Sequence, residues 1–332
     1  MNMGKCSDIR ENDIAAYDEA LMPLLLLDRT RTTEDESHNI IWATDNYIQN
    51  GPEYAEWAEI SVESVTGENG LVLRPRVDKT KEEQERRSRE KAEVFTPAWI
   101  CNRQNNLVDC AWFGLSESPF NTETDTGWVS KPEPVPFPTA EGKTWQDYVK
   151  DTRLEMTCGE APYLVSRYDA ITGADVDVGD RIGLLDRKLR VVGENTSDEK
   201  DWIKWATEAY KSIYGFEWQG DNLVLARESM VYTFLDFYEA KFGKLPAKGQ
   251  TRKIAEIVSW NLWQMDGLKG VIPGSCYDKV TKEYTLFGEE IEYVEKCEGC
   301  EKDDIYKHNG IYCRIKDWDK RKTLRFIDLL KQ

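Results

Sequence analysis

The chain has 332 residues, 40% of them hydrophobic, and includes 12 Trp, 15 Tyr and 10 Phe. This length and composition exclude a disordered chain and favour a globular protein with one large core or two smaller ones. The formal net charge of -17 means that the surface as a whole repels nucleic acid. Any contact with DNA must therefore come from a local basic patch or from a partner chain.

The numbers of histidines and cysteines limit the kinds of catalytic and metal site that the chain can form. The only histidines are His38 and His308, which argues against a Ser-His-Asp hydrolase or a His-rich catalytic metal site. Eight cysteines, with no secretory signal in view, favour free thiols or metal ligands over a disulfide scaffold. No apolar run approaches the roughly 18 residues of a membrane helix. We expect a cytoplasmic protein that makes no membrane contact.

Residues 1–77 predict an N-terminal α+β module whose role is not legible from the sequence. A helix is expected over 13–27, with strands at 40–43, 60–65 and 71–77. Residues 78–93 are dense in Lys, Glu and Arg, and this pattern predicts a solvated helix that connects the module to the next domain.

The middle of the chain alternates as α/β units do. A Pro-, Ser- and Thr-rich span over 114–143 predicts a long surface loop, because its prolines fit neither a helix interior nor a central strand. The expected strands lie at 154–156, 213–217 and 261–265, and the expected helices at 182–192, 202–212, 221–243 and 252–258. This alternation predicts a Rossmann-like, doubly wound, mostly parallel sheet over residues 78–272.

Acids and glycines follow the three predicted strands, where an open α/β sheet holds a nucleotide-like cofactor. The first strand ends at Glu155, followed by Cys158 and Gly159, and the others end at Glu217 and Asp266. The glycine would let the backbone approach such a ligand closely. Glu217 is the type of acid that accepts two ribose hydroxyls, and Asp266 would lie at the same edge of the sheet.

Four segments in this order resemble motifs of adenine-specific DNA methyltransferases, in the modification-subunit family of restriction-modification systems. The segments are 93–97 (EVFTP), 155–163 (EMTCGEAPY), 214–222 (YGFEWQGDN) and 266–268 (DGL). The resemblance covers residues 80–270. It implies a Rossmann-like methyltransferase sheet that binds S-adenosylmethionine.

The resemblance also implies roles for individual residues. Three cover the methionine moiety: Phe95, Thr96 and Pro97. Its amino end would be held by Glu155 with Cys158 and Gly159, the ribose by Glu217 and the adenine by Asp266. The chain departs from the family pattern in having Glu155 instead of Asp, Met156 rather than Pro before Thr157, and Ala161-Pro162 where a second glycine is expected.

The catalytic motif of the family is missing. Its members place a polar residue before two prolines and an aromatic residue, which bind and stack the flipped adenine. This chain has no Pro-Pro dipeptide, and Asp317-Trp318 is the nearest acid-aromatic pair. Either another polypeptide carries the catalytic and DNA-reading half, or the protein binds the cofactor without methylating DNA.

The first functional hypothesis is therefore an S-adenosylmethionine-dependent DNA methyltransferase-like protein that acts on adenine N6. Its partners would be DNA, reached through a local basic patch or a partner subunit, and an endonuclease or specificity subunit. The alternative is a non-catalytic regulatory or interaction protein that binds S-adenosylmethionine. Methylation of a substrate other than DNA also stays open.

A zinc site is predicted in the C-terminal tail, residues 273–332. The spacing of Cys297, Cys300, His308 and Cys313 fits a tetrahedral zinc centre, and it would be structural because all four positions are filled. Cys276 is a fifth thiol nearby. The alternative is a solvated acidic turn without metal.

A basic cluster lies in the same tail. It fits either contact with single-stranded nucleic acid or a solvated face beside the zinc site. Its members are Arg314, Lys316, Lys320, Arg321, Lys322 and Arg325.

Overall fold

A computed structural model describes residues 10–91, 93–138, 142–284 and 290–331. The first nine residues of the predicted N-terminal module lie outside the described part. Within that part, no helix combines the length and the apolarity needed to cross a membrane.

The N-terminal part is helical rather than mixed α+β. Its helices are α1 (Glu11–Tyr17), α2 (Leu21–Leu26), α3 (Val62–Val65), α4 (Lys81–Lys91) and α5 (Ala98–Phe113). The single helix predicted over 13–27 divides at Asp18, whose backbone is extended and whose carboxylate accepts the Ala20 N–H at 3.2 Å.

The three strands predicted in this part are wrong. Residues 40–43 make only an isolated bridge, in which Ile41 faces Glu59. Residues 60–65 turn into α3 because the Ser61 side chain accepts the Ser64 N–H at 3.1 Å and caps a helix. Residues 71–77 form turns and the start of a 3-10 helix. In this region, alternating apolar residues therefore lie in extended segments or turns that are buried without joining a sheet.

The elements predicted in the middle of the chain are confirmed, and three further elements are present. The elements in chain order are β1 (Asn121–Glu123), β2 (Trp128–Ser130), α6 (Trp145–Lys150), β3 (Arg153–Met156), α7 (Leu184–Asn195), α8 (Glu199–Lys211), β4 (Ile213–Glu217), α9 (Gly220–Phe242), α10 (Lys248–Asn261) and β5 (Leu262–Gln264). The three further elements are α6 and the antiparallel strands β1 and β2, which interrupt the expected loop; the sequence also did not predict α5.

The central sheet is parallel and has the strand order β3-β4-β5. Glu155 is opposite Gly215, which in turn is opposite Leu262. One face of the sheet packs on the helices, where Ile213 and Leu262 join the larger core and α9 is almost wholly buried. The protein is thus a mixed α/β fold with one small parallel sheet in its described part, and the wider doubly wound sheet stays a prediction.

The other face of the sheet is covered by the C-terminal part of the chain. Its elements are β6 (Lys279–Tyr284), β7 (Glu290–Glu295), α11 (Glu298–Lys302), β8 (Arg314–Asp317) and β9 (Lys322–Arg325). Phe216 and Trp263 from the sheet pack with Ile272, Cys313 and Ile315 in a second core. The predicted tail is therefore anchored on the sheet.

An extended N-terminal segment is fixed across the end of the sheet. The Gln264 side chain accepts the Ile41 N–H at 2.9 Å and donates to the Ile41 carbonyl at 2.8 Å. The Gly220 N–H donates to the Trp42 carbonyl at 3.0 Å. A Cβ at Gly220 would lie 2.0 Å from the Ile41 oxygen, so this close approach requires glycine. The segment brings N-terminal residues close to the carboxyl end of β4.

Candidate functional site

A cleft of about 1080 Å³ opens at the carboxyl ends of β3 and β4. Its walls come from the turn after β3, from the segment before α5 and from the N-terminal residues Ala43, Glu56 and Trp57. Parallel sheets bind ligands at this end, and clefts of this size hold nucleotide-like molecules. Three parts of the chain that are distant in sequence therefore form one ligand-sized space.

Glu217, the last residue of β4, is fixed at the base of the cleft. The Gly159 N–H donates to its Oε2 at 2.8 Å and the Gln219 N–H donates to its Oε1 at 3.1 Å. Only 7% of the residue is exposed, and burial raises the pKa of its carboxyl group. Each oxygen keeps further lone-pair capacity for a ligand hydroxyl.

Glu155 presents an unsatisfied acceptor at the same end of the sheet. It lines the cleft, and its Oε1 accepts the Tyr163 N–H at 3.4 Å. Its Oε2 is buried and has no hydrogen-bond partner among the described residues. Burial raises the pKa of this carboxyl group well above its ordinary value. An unsatisfied buried acceptor costs about 1–3 kcal/mol, which a donor entering the cleft would recover.

The turn between β3 and the rest of the cleft wall is strained. Thr157, Gly159 and Ala161 have φ angles of +49°, +54° and +62°. For a residue other than glycine this left-handed conformation costs roughly 1–2 kcal/mol. Ala161 is one of the positions where the family pattern differs from this chain, and its backbone has the conformation that favours glycine. The Phe95 ring lies 3.6 Å from where a Gly159 Cβ would be, so it packs on this turn.

Six of the predicted cofactor-binding residues line the cleft: Phe95, Thr96, Glu155, Cys158, Gly159 and Glu217. Cys158 is buried, which raises the pKa of its thiol and keeps it neutral, and its N–H donates to the Phe216 carbonyl at 2.8 Å. Pro97 is not a cleft residue, because it is the N-cap of α5 and lines a neighbouring pocket.

The structure does not bring Asp266 to the cleft. Its Oδ1 accepts the N–H groups of Leu268 and Lys269, at 3.0 and 3.2 Å, and so it caps the turn after β5. The Asp317-Trp318 pair lies elsewhere too, since the Trp318 Nε1–H donates to Asn261 Oδ1 at 2.8 Å in a separate pocket. Asp266, which was predicted to contact the adenine, and Asp317-Trp318, the nearest acid-aromatic pair in the sequence, thus both lie outside the cleft.

A buried ion network supports the wall of the cleft from behind. Arg87 on α4 donates to Glu93 Oε2 at 2.5 Å and to Asp221 Oδ2 at 2.6 Å, and the Tyr47 hydroxyl donates to Asp221 at 2.8 Å. Burial alone would raise the pKa of Asp221, but the Arg87 and Lys79 cations hold it below its ordinary value. The helix predicted over 78–93 is confirmed, but its face at Arg87 is buried in this ion network instead of being solvated.

A second polar site is a cluster of one imidazole and three thiols, which we call the Cys/His cluster. Its ligand atoms all lie within 4.8 Å of one another. Cys276 Sγ is 3.3 Å from Cys297 Sγ, 3.6 Å from Cys300 Sγ and 3.5 Å from His308 Nδ1. A tetrahedral metal with bonds of about 2.3 Å to sulfur and about 2.1 Å to nitrogen would separate its ligands by about 3.6–3.8 Å. These four side chains can therefore hold a metal ion.

Local backbone contacts shape the Cys/His cluster. A Cβ at Gly299 would lie 2.5 Å from the His308 nitrogen, so glycine allows the knuckle to close on the histidine. Cys297 Sγ accepts the Asn309 N–H at 3.4 Å. Burial would raise the pKa of Cys297, but N–H donors from Asn309 and Cys300 lower it to about 6. A thiol that loses its proton so readily is suited to metal binding.

Cys313 is not part of the Cys/His cluster, which corrects the predicted ligand set. It is fully buried in the second core, and its Sγ donates to the Gln264 carbonyl at 3.2 Å. Cys276 takes the fourth position, and the β6–β7 hairpin separates it from Cys297 in sequence. The signal available in the sequence was Cys276 itself, whose distance along the chain to Cys297 exceeds the spacing of a simple knuckle.

Trp57 lies between the cleft and the chain segment that leads to the Cys/His cluster. This residue lines the cleft, with 52% of it exposed. A Cβ at Gly274 would lie 2.3 Å from the Trp57 ring, so the ring packs directly on the backbone two residues before Cys276. Gly274 also has a φ angle of +71°, which favours glycine.

The sequence matches no protein-family model, no curated protein and no solved structure. The cleft and the Cys/His cluster are therefore the features that indicate a function.

Proposed function

We propose that the cleft binds S-adenosylmethionine and that the chain is the cofactor-binding part of a DNA methyltransferase-like protein acting on adenine N6. A restriction-modification system with a partner subunit is the proposed setting. One observation carries the proposal: Glu155 and Glu217, at the ends of adjacent parallel strands, face a single cleft around the Gly159 turn.

The chemistry of the cleft fits this cofactor. The buried, unpartnered Oε2 of Glu155 is the acceptor for the cationic amino group of the ligand. Glu217 accepts the ribose hydroxyls, as strand-end acids do in dinucleotide folds. Phe95 and the Gly159 turn provide an apolar wall for the methionine chain. When bound, the cofactor supplies a transferable methyl group.

Asn222 replaces Asp266 in the proposed contact with adenine. It lines the cleft at the start of α9, close in sequence to Glu217, and its Oδ1 is buried with no partner in the described part of the chain. That oxygen is suited to accept the exocyclic amino group. The Trp218 side chain, which is 38% exposed at the same wall, offers an indole beside it.

A non-catalytic regulatory protein is the second candidate. The described residues that line the cleft include no polar-Pro-Pro-aromatic motif for methyl transfer, which favours this candidate. Tritiated methyl transfer to duplex DNA, measured with and without a candidate partner subunit, separates the two candidates. Robust transfer by the purified chain alone would exclude the regulatory role.

Calorimetric titration with S-adenosylmethionine tests the cofactor assignment. We expect Glu155→Gln and Glu217→Ala each to weaken binding at least about tenfold, since each removes a charge-assisted hydrogen bond worth about 1.5–3 kcal/mol. Asp266→Asn is the matched control and should bind as the wild type does. Undiminished binding in both cleft variants would remove the assignment.

We also propose that the Cys/His cluster holds a structural zinc ion. Three thiols and one imidazole suit zinc and fill all four positions of a tetrahedron, which leaves none for a substrate. Elemental analysis should find one zinc per chain in the wild type and in Cys313→Ala, but not in Cys276→Ala. Retention of zinc by Cys276→Ala together with its loss from Cys313→Ala would reverse the ligand set.

A further inference from the structure

The hairpin formed by β8 and β9 concentrates positive charge on an acidic protein. Arg314 faces Arg325 across the antiparallel pair, and Lys316 faces Thr323. Residues 314–331 contain seven basic and three acidic side chains, whereas the whole chain carries 61 acids and 44 Lys and Arg residues. The hairpin is therefore a local reversal of the overall charge.

Part of this charge is neutralised locally. Lys320 lies 3.5 Å from Asp317, while Arg325 and Lys331 lie 2.9 and 3.4 Å from Asp328.

Four hairpin cations make no ion pair among the described residues: Arg314, Lys316, Arg321 and Lys322. These cations repel one another, and the chain has enough carboxylates to pair with all of them, yet they have no ion-pair partner in the described part of the chain. Unpaired cations that persist on one hairpin are suited to an anionic ligand.

An aromatic pocket of about 310 Å³ adjoins the hairpin. Tyr214, Trp263, Trp318 and Phe326 are among the residues that line it. The Lys316 ammonium lies 4.4 Å from the centre of the Trp318 ring, at the same pocket. Aromatic faces beside cations are the arrangement on which unpaired nucleobases stack while their phosphates are neutralised.

We propose that the β8–β9 hairpin and this pocket bind single-stranded nucleic acid, with phosphates on the unpaired cations and a base in the pocket. Leu154 on β3 lines both the pocket and the cleft, so a bound strand that continues over β3 reaches the cleft. The link to the cleft rests on the proposed function. The binding of nucleic acid does not depend on it.

Fluorescence anisotropy with the full, metal-loaded chain tests the proposal. The probes are labelled oligothymidylate and a labelled duplex of equal length, without S-adenosylmethionine. We expect tighter binding of the single strand and a slope against log salt of about -0.7 for each phosphate contact. The double variant Arg321→Ala/Lys322→Ala should bind the single strand roughly 25-fold more weakly near 0.1 M salt and reduce the slope by about two contacts.

The matched control is Lys81→Ala/Arg86→Ala, which removes two exposed cations from α4 and should leave binding unchanged. Trp318→Leu should weaken binding of the single strand by about tenfold through lost stacking, with little change for the duplex. Equal weakening in the hairpin and control variants would overturn the proposal, as would failure of the wild type to bind oligothymidylate.

Competition separates nucleic acid from an acidic protein partner. If polyglutamate displaces the oligonucleotide as effectively as unlabelled oligothymidylate does, the surface belongs to an acidic protein and the proposal is wrong. Calorimetry of the hairpin variant with S-adenosylmethionine reports on the cleft independently. Loss of oligonucleotide binding with an intact cleft supports the proposal, and a wild type that binds the oligonucleotide but no cofactor overturns only the proposed function.

Discussion

The Cys/His cluster and the cleft hold their polar groups in different ways. In the cluster, four atoms that can bind a metal lie within 4.8 Å of one another, so a single ion could be bound by all of them. In the cleft, Glu155 and Glu217 are each held by backbone N–H groups, and the walls come from three distant parts of the chain. A metal site is thus specified by the distances between its ligands, whereas a small-molecule site is specified by which surfaces meet.

Metal removal should have the largest effect on stability, and this effect should be confined to the region of the Cys/His cluster. Structural zinc contributes on the order of 10 kcal/mol of binding free energy in small domains, so a chelator should unfold the segment around the Cys/His cluster. Hydrogen exchange measured by mass spectrometry should show lost protection over 276–308 and retained protection in α9. Equal loss in α9 would show that the whole fold depends on the metal.

The buried network behind the cleft should give the next largest effect. Arg87→Ala leaves Glu93 buried without its cation and leaves Asp221 with only the Lys79 ammonium, 3.9 Å away, so the free energy of unfolding in urea should fall by about 3–5 kcal/mol. Arg86→Ala, one residue earlier on the exposed face of α4, should change it by less than about 0.5 kcal/mol. Similar losses in the two variants would mean that the network does not stabilise the wall.

The pH dependence of cofactor binding tests the role of Glu155. Burial raises the pKa of this group, so the free cleft holds it protonated above the ordinary glutamate value of about 4.3. Binding of a cationic amino group requires the ionised form, and affinity should therefore rise with pH through the raised pKa. Glu155→Gln should flatten this rise and weaken binding about tenfold at its upper end, as measured by calorimetry. An unchanged pH profile would assign the amino group elsewhere.

The stability of the ligand-free protein should follow the opposite trend with pH, because Glu155 contributes more to stability when it is protonated. A raised pKa means that the folded protein binds the proton more tightly than the unfolded chain. That contribution to stability is complete below the unfolded value and is lost as pH rises through the folded value. Thermal unfolding without ligand should therefore show Glu155→Gln gaining stability relative to the wild type as pH rises.

The smallest effects concern the turn after β3. Gly159→Ala places a Cβ at a φ angle of +54° and should lower the free energy of unfolding by about 1 kcal/mol. Ala161→Gly relieves the same strain at +62° and should change stability by no more than about 1 kcal/mol, in the stabilising direction. Chemical denaturation measures both. A destabilised Ala161→Gly variant would show that the buried methyl group contributes more than the strain costs.

Sequence reasoning predicted the local features of the fold well. The helical period predicted α7 to α10, and a short apolar run bounded by polar residues predicted β4. It failed where burial comes from long-range packing, because extended residues such as Ile41 bury without a sheet partner and α5 carries buried Asn and Asp that hide its apolar face.

The candidate sites show the same division. Glu217 was predictable because it ends a well-defined strand, and Cys297, Cys300 and His308 because they lie close in sequence. Cys276 could not be chosen over Cys313, since only folding shows which thiol reaches the cluster and which fills the core. Asn222 lies in the third of the four motif segments, but no role was predicted for it because its unpartnered oxygen becomes visible only in three dimensions.

The Trp57 ring, packed between the cleft and the backbone just before Cys276, has a consequence for energetics. If an ion binds at the Cys/His cluster and a small molecule in the cleft, movement of this indole would couple the two binding equilibria. Linkage is reciprocal: the factor by which the ion alters affinity for the small molecule equals the factor by which the small molecule alters affinity for the ion.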